Sequence, residues 1–306
     1  MSAQNTRVLP YGPQAIAEAA RLIAAGEPVA VPTETVYGLA ADATNGVAVA
    51  RVYETKGRPS FNPLIVHVLS VKNAEEIAVF DDAARTLAAR YWPGPLTLVL
   101  PLRADACIAA IVSAGLPTIA LRAPAHPAMR DLLVATGVPL AAPSANASGR
   151  ISPTRAAHVL ASLGGRIPLI IDGGPTAHGL ESTIVAVTGE EMRLLRRGPI
   201  DLGLAFVPTS SVEAPGQLAS HYAPRKPLRL DAETKRPGEW LIGFGAVAGD
   251  VTLSASGDPV EAAANLFEAL HAGDENAAAE IAVAPIPEGG LGAAINDRLR
   301  RAAAAR

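Results

Sequence analysis

The chain has 306 residues, of which 49% are hydrophobic and 18% are charged, a composition typical of a globular protein with one large domain or two ordinary ones and not of a disordered chain. A net charge of −3 argues against a protein that coats nucleic acid nonspecifically, although it leaves room for a local basic patch. The single cysteine, Cys107, excludes an intramolecular disulfide and a cysteine-cluster metal site.

The N-terminal residues do not have the pattern of a signal peptide, because no charged segment is followed by an apolar one. No uninterrupted apolar run is long enough to span a bilayer. We therefore expect a cytoplasmic protein that makes no membrane contact.

Hydrophobic spacing predicts alternating helices and strands over the first two thirds of the chain. Residues 13–25 place apolar side chains on one helical face, and Gly26 stands where a helix commonly ends. PVAVPTETVYGLA is typical of a buried strand that enters a polar turn, and NGVAVARVYET has helical spacing up to Gly57. Further strand candidates are NPLIVHV, PLTLVL, PTIALRA, VPLAAP, PLIIDGG, STIVAV and MRLLR, with helices near 74–90, 127–136 and 154–162. This interleaving predicts an α/β domain with a large, twisted, mixed sheet and flanking helices.

The pattern weakens after Gly198, and a second one begins near the end of the chain. Residues 201–226 are rich in proline, serine and glycine, which is typical of a linker. Strand candidates PLRLD, EWLIGF, VTLSA and EIAVAPI then alternate with the helices PVEAAANLFEALHAG and LGAAINDRLRRAAAA. We therefore predict a first domain at 1–200, a linker at 201–226, and a small Rossmann-like, three-layer α/β domain at 227–306.

Polar residues stand at the ends of several strand candidates, in PTET, KGR, PSAN, EST and LLRRG. Thr118 and Arg122 share one face of TIALR, since side chains alternate along a strand. If these ends converge, they form a cleft with three arginines, a lysine, several hydroxyls and an amide. Such a cleft suits a polyanion, because guanidinium groups match phosphate and carboxylate oxygens.

Each of these residues also has an ordinary structural interpretation. Lys56 and Arg58 would by themselves be solvated cations, His67 a core histidine, and Ser144 and Asn146 turn formers. A buried arginine is harder to explain this way, because its charge requires an anionic partner. The common nucleotide, zinc and serine-hydrolase motifs are absent from the sequence.

A family resemblance narrows these possibilities. In order, the segments PTETVYGL, KGRPSFNPLIVHV, WPGPLTLVL, TIALRAPAHP, PLAAPSAN, SPT, IIDGG, ESTIV and LLRRG closely resemble the YrdC-like domain. Together with SHYAP at 220–224 and the small domain after it, the chain is similar to the two-domain threonylcarbamoyl-AMP synthases. The resemblance is dense over about residues 8–200 and looser beyond them.

The resemblance implies a nucleotidyltransferase that forms L-threonylcarbamoyladenylate and pyrophosphate from ATP, L-threonine and bicarbonate. Mg²⁺ would be carried by the ATP phosphates, without a metal site on the protein. Other proteins would transfer the threonylcarbamoyl group to the adenosine beside the anticodon of tRNAs that read codons beginning with A. No stable nucleic-acid binding by this chain is expected.

The resemblance also assigns roles to individual residues. The family's catalytic set falls on Lys56, Arg58, Ser144 and Asn146. Threonine would be held by Thr35, His67, Arg122, Ser182 and the backbone of Ala142. ATP would contact Arg58, Asn62, Thr118, Ser144, Ser152, Arg196 and, from a linker that closes as a lid, Tyr222.

Two other functions stay open. A carbamoyltransferase on the same fold would be expected to carry zinc-finger cysteines, and this chain has one cysteine. An RNA-binding maturation factor is compatible with the basic groups at 193–197, 225–229 and 298–301. The acidic net charge and the 4% aromatic content weaken that second alternative.

Overall fold

The computed structural model describes residues 5–189, 191–206, 212–218 and 220–304. A ten-stranded mixed sheet with the order β1-β8-β2-β3-β7-β4-β6-β5-β9-β10 forms the centre of the first domain. Its strands are β1 (Arg7–Pro10), β2 (Val29–Pro32), β3 (Tyr37–Asp42), β4 (Ile65–His67), β5 (Leu96–Pro101), β6 (Thr118–Arg122), β7 (Leu140–Ala141), β8 (Leu169–Asp172), β9 (Thr183–Ala186) and β10 (Arg193–Arg196). The large mixed sheet predicted from the sequence is confirmed.

Helices flank this sheet, and their ends follow local sequence signals. They are α1 (Pro13–Ala24), α2 (Gly46–Lys56), α3 (Val71–Glu75), α4 (Asp82–Tyr91), α5 (Pro127–Thr136) and α6 (Ala156–Leu163). Asn45 caps α2 by accepting hydrogen bonds from the backbone N–H groups of its first turn, and Gly57 ends it in the left-handed region. The helix predicted near 74–90 is two helices, because Asp81 caps a new start by accepting from the N–H of Ala84 at 2.7 Å.

The helices cover the two faces of the sheet unequally. On one face, α2, α4 and α6 pack over both halves of the sheet in a continuous core that includes Leu39, Val66 and Leu98. On the other face, α1 and α5 pack over the half that carries Val29 and Leu169. The strands β4, β6, β5, β9 and β10 have only a small apolar cluster on this second face, and Ala214 of the linker lies in it. This half-face, free of helices among the described residues, is where polar strand ends can reach a ligand.

The second domain has a four-stranded parallel sheet in the order β11-β14-β12-β13. Its elements are β11 (Leu228–Arg229), β12 (Glu239–Gly243), β13 (Val251–Thr252), α7 (Pro259–Glu275), β14 (Glu280–Val283) and α8 (Leu291–Ala303).

Both helices of the second domain pack on one face of its sheet, in a core that also takes in Val36 and Leu180 of the first domain. The opposite face carries a smaller cluster without helical residues. Among the described residues the helix layer lies between the small sheet and the first domain.

The predicted linker at 201–226 contains residues 207–211 and 219, which lie outside the described residues. No helix in the described part of the chain is both long and apolar enough to cross a membrane.

Candidate active site

A narrow cavity of about 50 Å³ lies on the helix-free half-face of the large sheet. Strand ends, the turn between β2 and β3 and the linker all contribute to its wall. The predicted site residues that line it are Thr35, Arg58, His67, Arg122, Ala142, Ser144, Ser182, Arg196 and Tyr222. Segments more than 180 residues apart in sequence thus meet at one place, as the convergence argument expected.

Most of the predicted site residues outside the cavity wall contact a residue within it. Asn62 accepts a hydrogen bond from Arg58 through its side-chain oxygen at 2.7 Å. Asn146 accepts one from the hydroxyl of Ser144 at 2.6 Å.

Two further predicted residues stand behind or beside the cavity. Ser152 donates to Glu181, which lines the cavity. Thr118 begins the strand that Arg122 ends and does not line the cavity.

Arg122 is buried at one end of the cavity with its guanidinium fully bonded. Nη2 donates to Glu34 at 2.6 Å, Nη1 to the hydroxyl of Thr35 at 2.9 Å, and Nε to the carbonyl of Gly94 at 3.2 Å. His67 stands opposite Arg122 in the parallel pairing of β4 with β6. The anionic partner that a buried arginine requires is therefore Glu34.

Glu34 was missed by the sequence analysis, although it lies inside the PTET motif. Its second carboxylate oxygen accepts from the backbone N–H groups of Ala125 and His126 at 3.1 and 3.4 Å. Burial alone would raise the pKa of Glu34, but the charge and hydrogen bonds of Arg122, with backbone N–H groups, bring this pKa below its usual value. The carboxylate is therefore ionised, and this end of the cavity holds a neutralised ion pair. The rule that a buried arginine needs an anion would have directed attention to Glu34.

His67 presents a neutral imidazole to the same end of the cavity. Burial, followed by the nearby charge of Arg122, lowers the pKa of His67 to about 3. Its Nδ1 atom is buried and has no hydrogen-bond partner among the described residues. Because buried polar atoms are rarely left unpaired, this nitrogen is available to a ligand.

Arg58 and Arg196 form the other end of the cavity. Arg58 donates to its own loop, through the carbonyls of Asn62 and Pro63 and the Asn62 side chain. Arg196 donates to the carbonyl and hydroxyl of Ser182, both at 3.0 Å, and to the carbonyl of Pro215 at 3.3 Å. Burial lowers the pKa of each arginine to about 10. Neither makes an ion pair within the described part of the chain, so one buried and one partly buried cation lack an anion.

Lys56 does not line the cavity. Its ammonium group is buried at the end of α2, where it donates to the carbonyls of Ser144 and Asn146 and to the Asn146 side chain. Burial, with the charges of Arg58 and Arg166, lowers the pKa of Lys56 well below its usual range. Lys56 thus holds the PSAN loop in place from behind.

The linker closes the remaining side of the cavity with Pro215, Gly216, His221 and Tyr222. Tyr222 is 1% exposed, and its hydroxyl has no hydrogen-bond partner among the described residues. A volume of about 50 Å³ is far below the roughly 300 Å³ or more that small-molecule sites usually have. A ligand of the usual size therefore fits only after this segment has moved away from Arg196.

Comparison with known proteins first defines the class of the large domain. A family model described as "Telomere recombination", whose name joins Sua5, YciO and YrdC, matches residues 21–198. The crystal structure of E. coli YciO shares the fold, with a TM-score of 0.57 over 66% of this chain and 98% of that chain, at 20% identity. The first domain thus has the predicted YrdC-like fold.

A narrower family follows from matches over both domains. A model described as "Threonylcarbamoyl-AMP synthase, C-terminal domain" matches residues 182–304. The threonylcarbamoyl-AMP synthase of Bacillus subtilis is 41% identical over 95% of this chain and 93% of its own length, and that of Pyrococcus abyssi 39% identical over 93% and 92%. The crystal structure of P. abyssi Sua5 complexed with L-threonine matches with a TM-score of 0.89 and 36% identity, over 98% of this chain and 97% of that one. The chain belongs to the threonylcarbamoyl-AMP synthase family.

These matches confirm three predictions made from the sequence: the family, the fold class and the assignment to an enzyme family. The roles given to individual residues and the domain boundaries stay predictions.

Proposed function

We propose that this chain is an L-threonylcarbamoyladenylate synthase, which converts ATP, L-threonine and bicarbonate into L-threonylcarbamoyl-AMP and pyrophosphate. The observation that carries the proposal is the pair of arginines, the partly buried Arg58 and the buried Arg196, which line the cavity without an ion-pair partner among the described residues. A buried cation is costly until it meets an anion, and arginine forms short, charge-assisted hydrogen bonds with phosphate. The triphosphate of ATP would supply that anion.

The two ends of the cavity differ in charge, and this difference supports the assignment of substrates. At the Arg122 end the ion pair with Glu34 leaves no net charge, so this end suits a zwitterion such as threonine. The hydroxyls of Thr35 and Ser182 and the neutral His67 add the short-range partners that an amino acid needs. At the opposite end the unpaired arginines suit a polyanion.

The proposed reaction needs no covalent nucleophile from the protein. The amine of threonine attacks the carbon of bicarbonate and water is lost, which gives a carbamate. A carbamate oxygen then forms a bond to the α-phosphorus of ATP, while the bond from that phosphorus to the bridging oxygen breaks and pyrophosphate leaves. Arg58 and Arg196 would stabilise the negative charge on the phosphates, and the closed linker would exclude water from the short-lived carbamate.

Mg²⁺ is proposed to arrive bound to the ATP phosphates. Among the described residues, no group of three or more histidine, cysteine, aspartate or glutamate side chains could hold a metal ion. The carboxylate at the cavity wall, Glu181, is already paired with Arg298.

Downstream transfer of the threonylcarbamoyl group to tRNA is assigned to other proteins, and the basic groups of this chain support that division. Members of the three groups considered for RNA binding are largely engaged in ion pairs. These pairs are Arg193–Glu213, Arg225–Asp274, Arg229–Glu239, Arg298–Glu181, Arg300–Glu288 and Arg301–Asp297. A surface whose cations are already paired gains less from phosphate contacts. The cytoplasm stays the compartment expected from the sequence.

The test is pyrophosphate release from ATP with threonine and bicarbonate omitted in turn. We expect release only when both are present, with L-threonylcarbamoyl-AMP detected by mass spectrometry. Release that is indifferent to both omissions would contradict the proposal. Release that depends on carbamoyl phosphate would instead support the carbamoyltransferase alternative.

A further inference from the structure

Arg298 of α8 is a charged residue that is completely buried, with a side-chain exposure of 0%. Every nitrogen of its guanidinium group donates a hydrogen bond at 2.8 Å. Nε donates to the carboxylate of Glu181, Nη1 to that of Asp297, and Nη2 to the backbone carbonyl of Arg197. The second domain thus inserts a fully bonded cation into the first.

Both first-domain partners of Arg298 are chain neighbours of cavity residues. Glu181 immediately precedes Ser182, and Arg197 immediately follows Arg196. Arg196 in turn donates to Ser182 inside the cavity. Arg298 therefore fixes the start of β9 relative to the end of β10 at the point where these two cavity residues meet.

Glu181 extends this contact further into the site. One of its carboxylate oxygens accepts from Arg298, and the other accepts from the hydroxyl of Ser152. Ser152 is buried, and the family resemblance places it at ATP. The orientation of Ser152 is thus coupled through one carboxylate to Arg298.

Arg298 also supports the linker. Its guanidinium carbon lies 5.2 Å from the ring centroid of Tyr222, and the ring of Phe267 on α7 packs against the same tyrosine at 5.6 Å. The backbone of Tyr222 has a φ of +62°, a conformation that a tyrosine adopts only when its surroundings hold it there.

The same helix holds the linker backbone at two points within the closing segment. Arg301 donates to the carbonyl of Leu218 at 2.7 Å, and the carbonyl of Arg301 accepts from the N–H of His221 at 3.2 Å. These bonds bring the linker to α8, and Arg298 then contacts the side chain that enters the cavity.

We propose that Arg298 is a positioning residue for adenylate formation: it orients Ser152 through Glu181 and holds Tyr222 in the closed linker. The inference rests on the proposed function and deepens it, because it assigns part of the nucleotide site to the second domain. Of the residues proposed to hold threonine, Ser182 borders this set of contacts through Glu181 and Arg196, whereas Arg122, Thr35 and His67 do not bond to any of its members.

The test compares R298K, the double variant R298M/E181Q and the control R300M in the full-length enzyme. R298K keeps the charge but cannot reproduce the three directed bonds, whereas R298M/E181Q removes both members of the buried pair and leaves no isolated charge. R300M removes an exposed arginine from the same helix. We expect R298K and R298M/E181Q to raise the KM for ATP at least about tenfold, with the KM for threonine changed less than about twofold. R300M should match the wild type in both constants.

A folded R298K or R298M/E181Q enzyme with the wild-type KM for ATP would overturn the inference. So would an equal rise in both KM values, since a general structural role would weaken both ends of the cavity alike.

Hydrogen exchange supplies a readout that is independent of turnover. In R298M/E181Q the amide of His221 should exchange at least about tenfold faster than in the wild type, and in R300M at the wild-type rate. Unchanged exchange would contradict the supporting role toward the linker. If wild-type enzyme showed no threonine- and bicarbonate-dependent release, the proposed function would fail, and hydrogen exchange with calorimetric ATP affinity would still decide the role of Arg298.

Discussion

Lys56 and Arg58 are separated by one residue and have different surroundings. The left-handed Gly57, with a φ of +60°, turns the chain so that the ammonium group of Lys56 is directed into the protein and Arg58 lines the cavity. Loss of the Lys56 ammonium leaves the carbonyl of Asn146 without its donor and takes one of two donors from the Ser144 carbonyl and from the Asn146 side-chain oxygen. Loss of Arg58 also removes three hydrogen bonds, but it removes at the same time a partly buried cation that has no ion-pair partner among the described residues.

We therefore expect Lys56→Ala to act mainly on stability and Arg58→Ala to act mainly on activity. Lys56→Ala should lower the free energy of unfolding by about 2–4 kcal/mol, because buried acceptors lose a donor. Arg58→Ala should lower it by less than about 1 kcal/mol and reduce kcat/KM at least about 100-fold, because charge stabilisation on the phosphates is lost. Urea denaturation and pyrophosphate release measure the two quantities. Lys72→Ala, at an exposed lysine of α3, is the control, and equal destabilisation by both substitutions would contradict this distinction.

The sequence and the family resemblance predicted most of the residues that line the cavity. They missed Glu34 and Arg298, whose bonding partners are far away in the chain. Arg122 stood out because its strand is apolar, yet nothing near it in the chain identifies Glu34, which lies 88 residues away. Arg298 belonged to a basic group that the sequence analysis considered only for RNA binding. Arg298 is buried because the two domains pack against each other. The apolar pattern of a single helix cannot predict such burial.

At the scale of elements, the linker is the part of the site whose backbone is most constrained. Gly216 has a φ of +86°, and a Cβ atom built there would lie 2.9 Å from both the Arg196 side chain and the Tyr222 hydroxyl. Gly203, in the same predicted linker, has a φ of +66°, and no atom of the described residues lies within 4 Å of such a Cβ. The two glycines thus share a left-handed conformation and differ in what surrounds them.

Gly216→Ala should impair closure of the linker, whereas Gly203→Ala should only strain the backbone. Both substitutions should destabilise the protein by about 1 kcal/mol through their φ angles. Only Gly216→Ala should also raise the KM for ATP, by about tenfold, because its methyl group displaces Arg196 or Tyr222. Steady-state kinetics of the two variants at matched temperature measure the difference. Identical ATP constants would show that the contacts of Gly216 do not matter for nucleotide binding.

The elements that the sequence predicts well are those with a strong apolar pattern. The strands β5 and β6 are buried along most of their lengths and match PLTLVL and PTIALRA. The edge strand β1 was not predicted, because its four residues are mostly exposed and carry little apolar signal. Backbone hydrogen bonds place β1 beside β8, and these bonds do not depend on the side chains. The amino-acid composition therefore does not predict this strand.

At the scale of the whole molecule, two histidines join the domains. His158 of α6 and His271 of α7 are stacked with ring centroids 3.8 Å apart. His271 Nε2 lies 3.1 Å from the carbonyl of Ser152, and His158 Nε2 lies 3.5 Å from Glu268. Burial lowers the pKa of each histidine to about 4, with Arg155 adding to the effect at His158 and the neighbouring His158 to that at His271.

These lowered pKa values make the interface sensitive to acid. A histidine of pKa about 6.5 in the unfolded chain and about 4 in the folded protein binds more protons when unfolded, so stability is full above pH 6.5 and falls as the pH drops toward 4. From pH 7.5 to pH 5.0 each histidine should contribute a loss of about 2 kcal/mol. His271→Gln, which keeps a donor for Ser152, should lose at least about 2 kcal/mol less than the wild type over this interval.

Urea denaturation at the two pH values measures this difference. At pH 7.5, where both histidines are neutral, the variant and the wild type should have similar stability, which serves as the internal control. An equal loss in both proteins on acidification would show that the stacked pair does not carry the pH dependence.

The chain is made from its N-terminus, so the two residues of the ion pair between Glu181 and Arg298 are synthesised at different times. Its two members are 117 residues apart, so a ribosome finishes the strand with Glu181 long before the helix that neutralises it. Until that helix is made, the carboxylate beside the cavity has no counter-ion from α8, and the linker lacks the surface that holds its tyrosine. The large sheet can form before α8 is made, but the proposed nucleotide end of the site is complete only when α8 has packed against it.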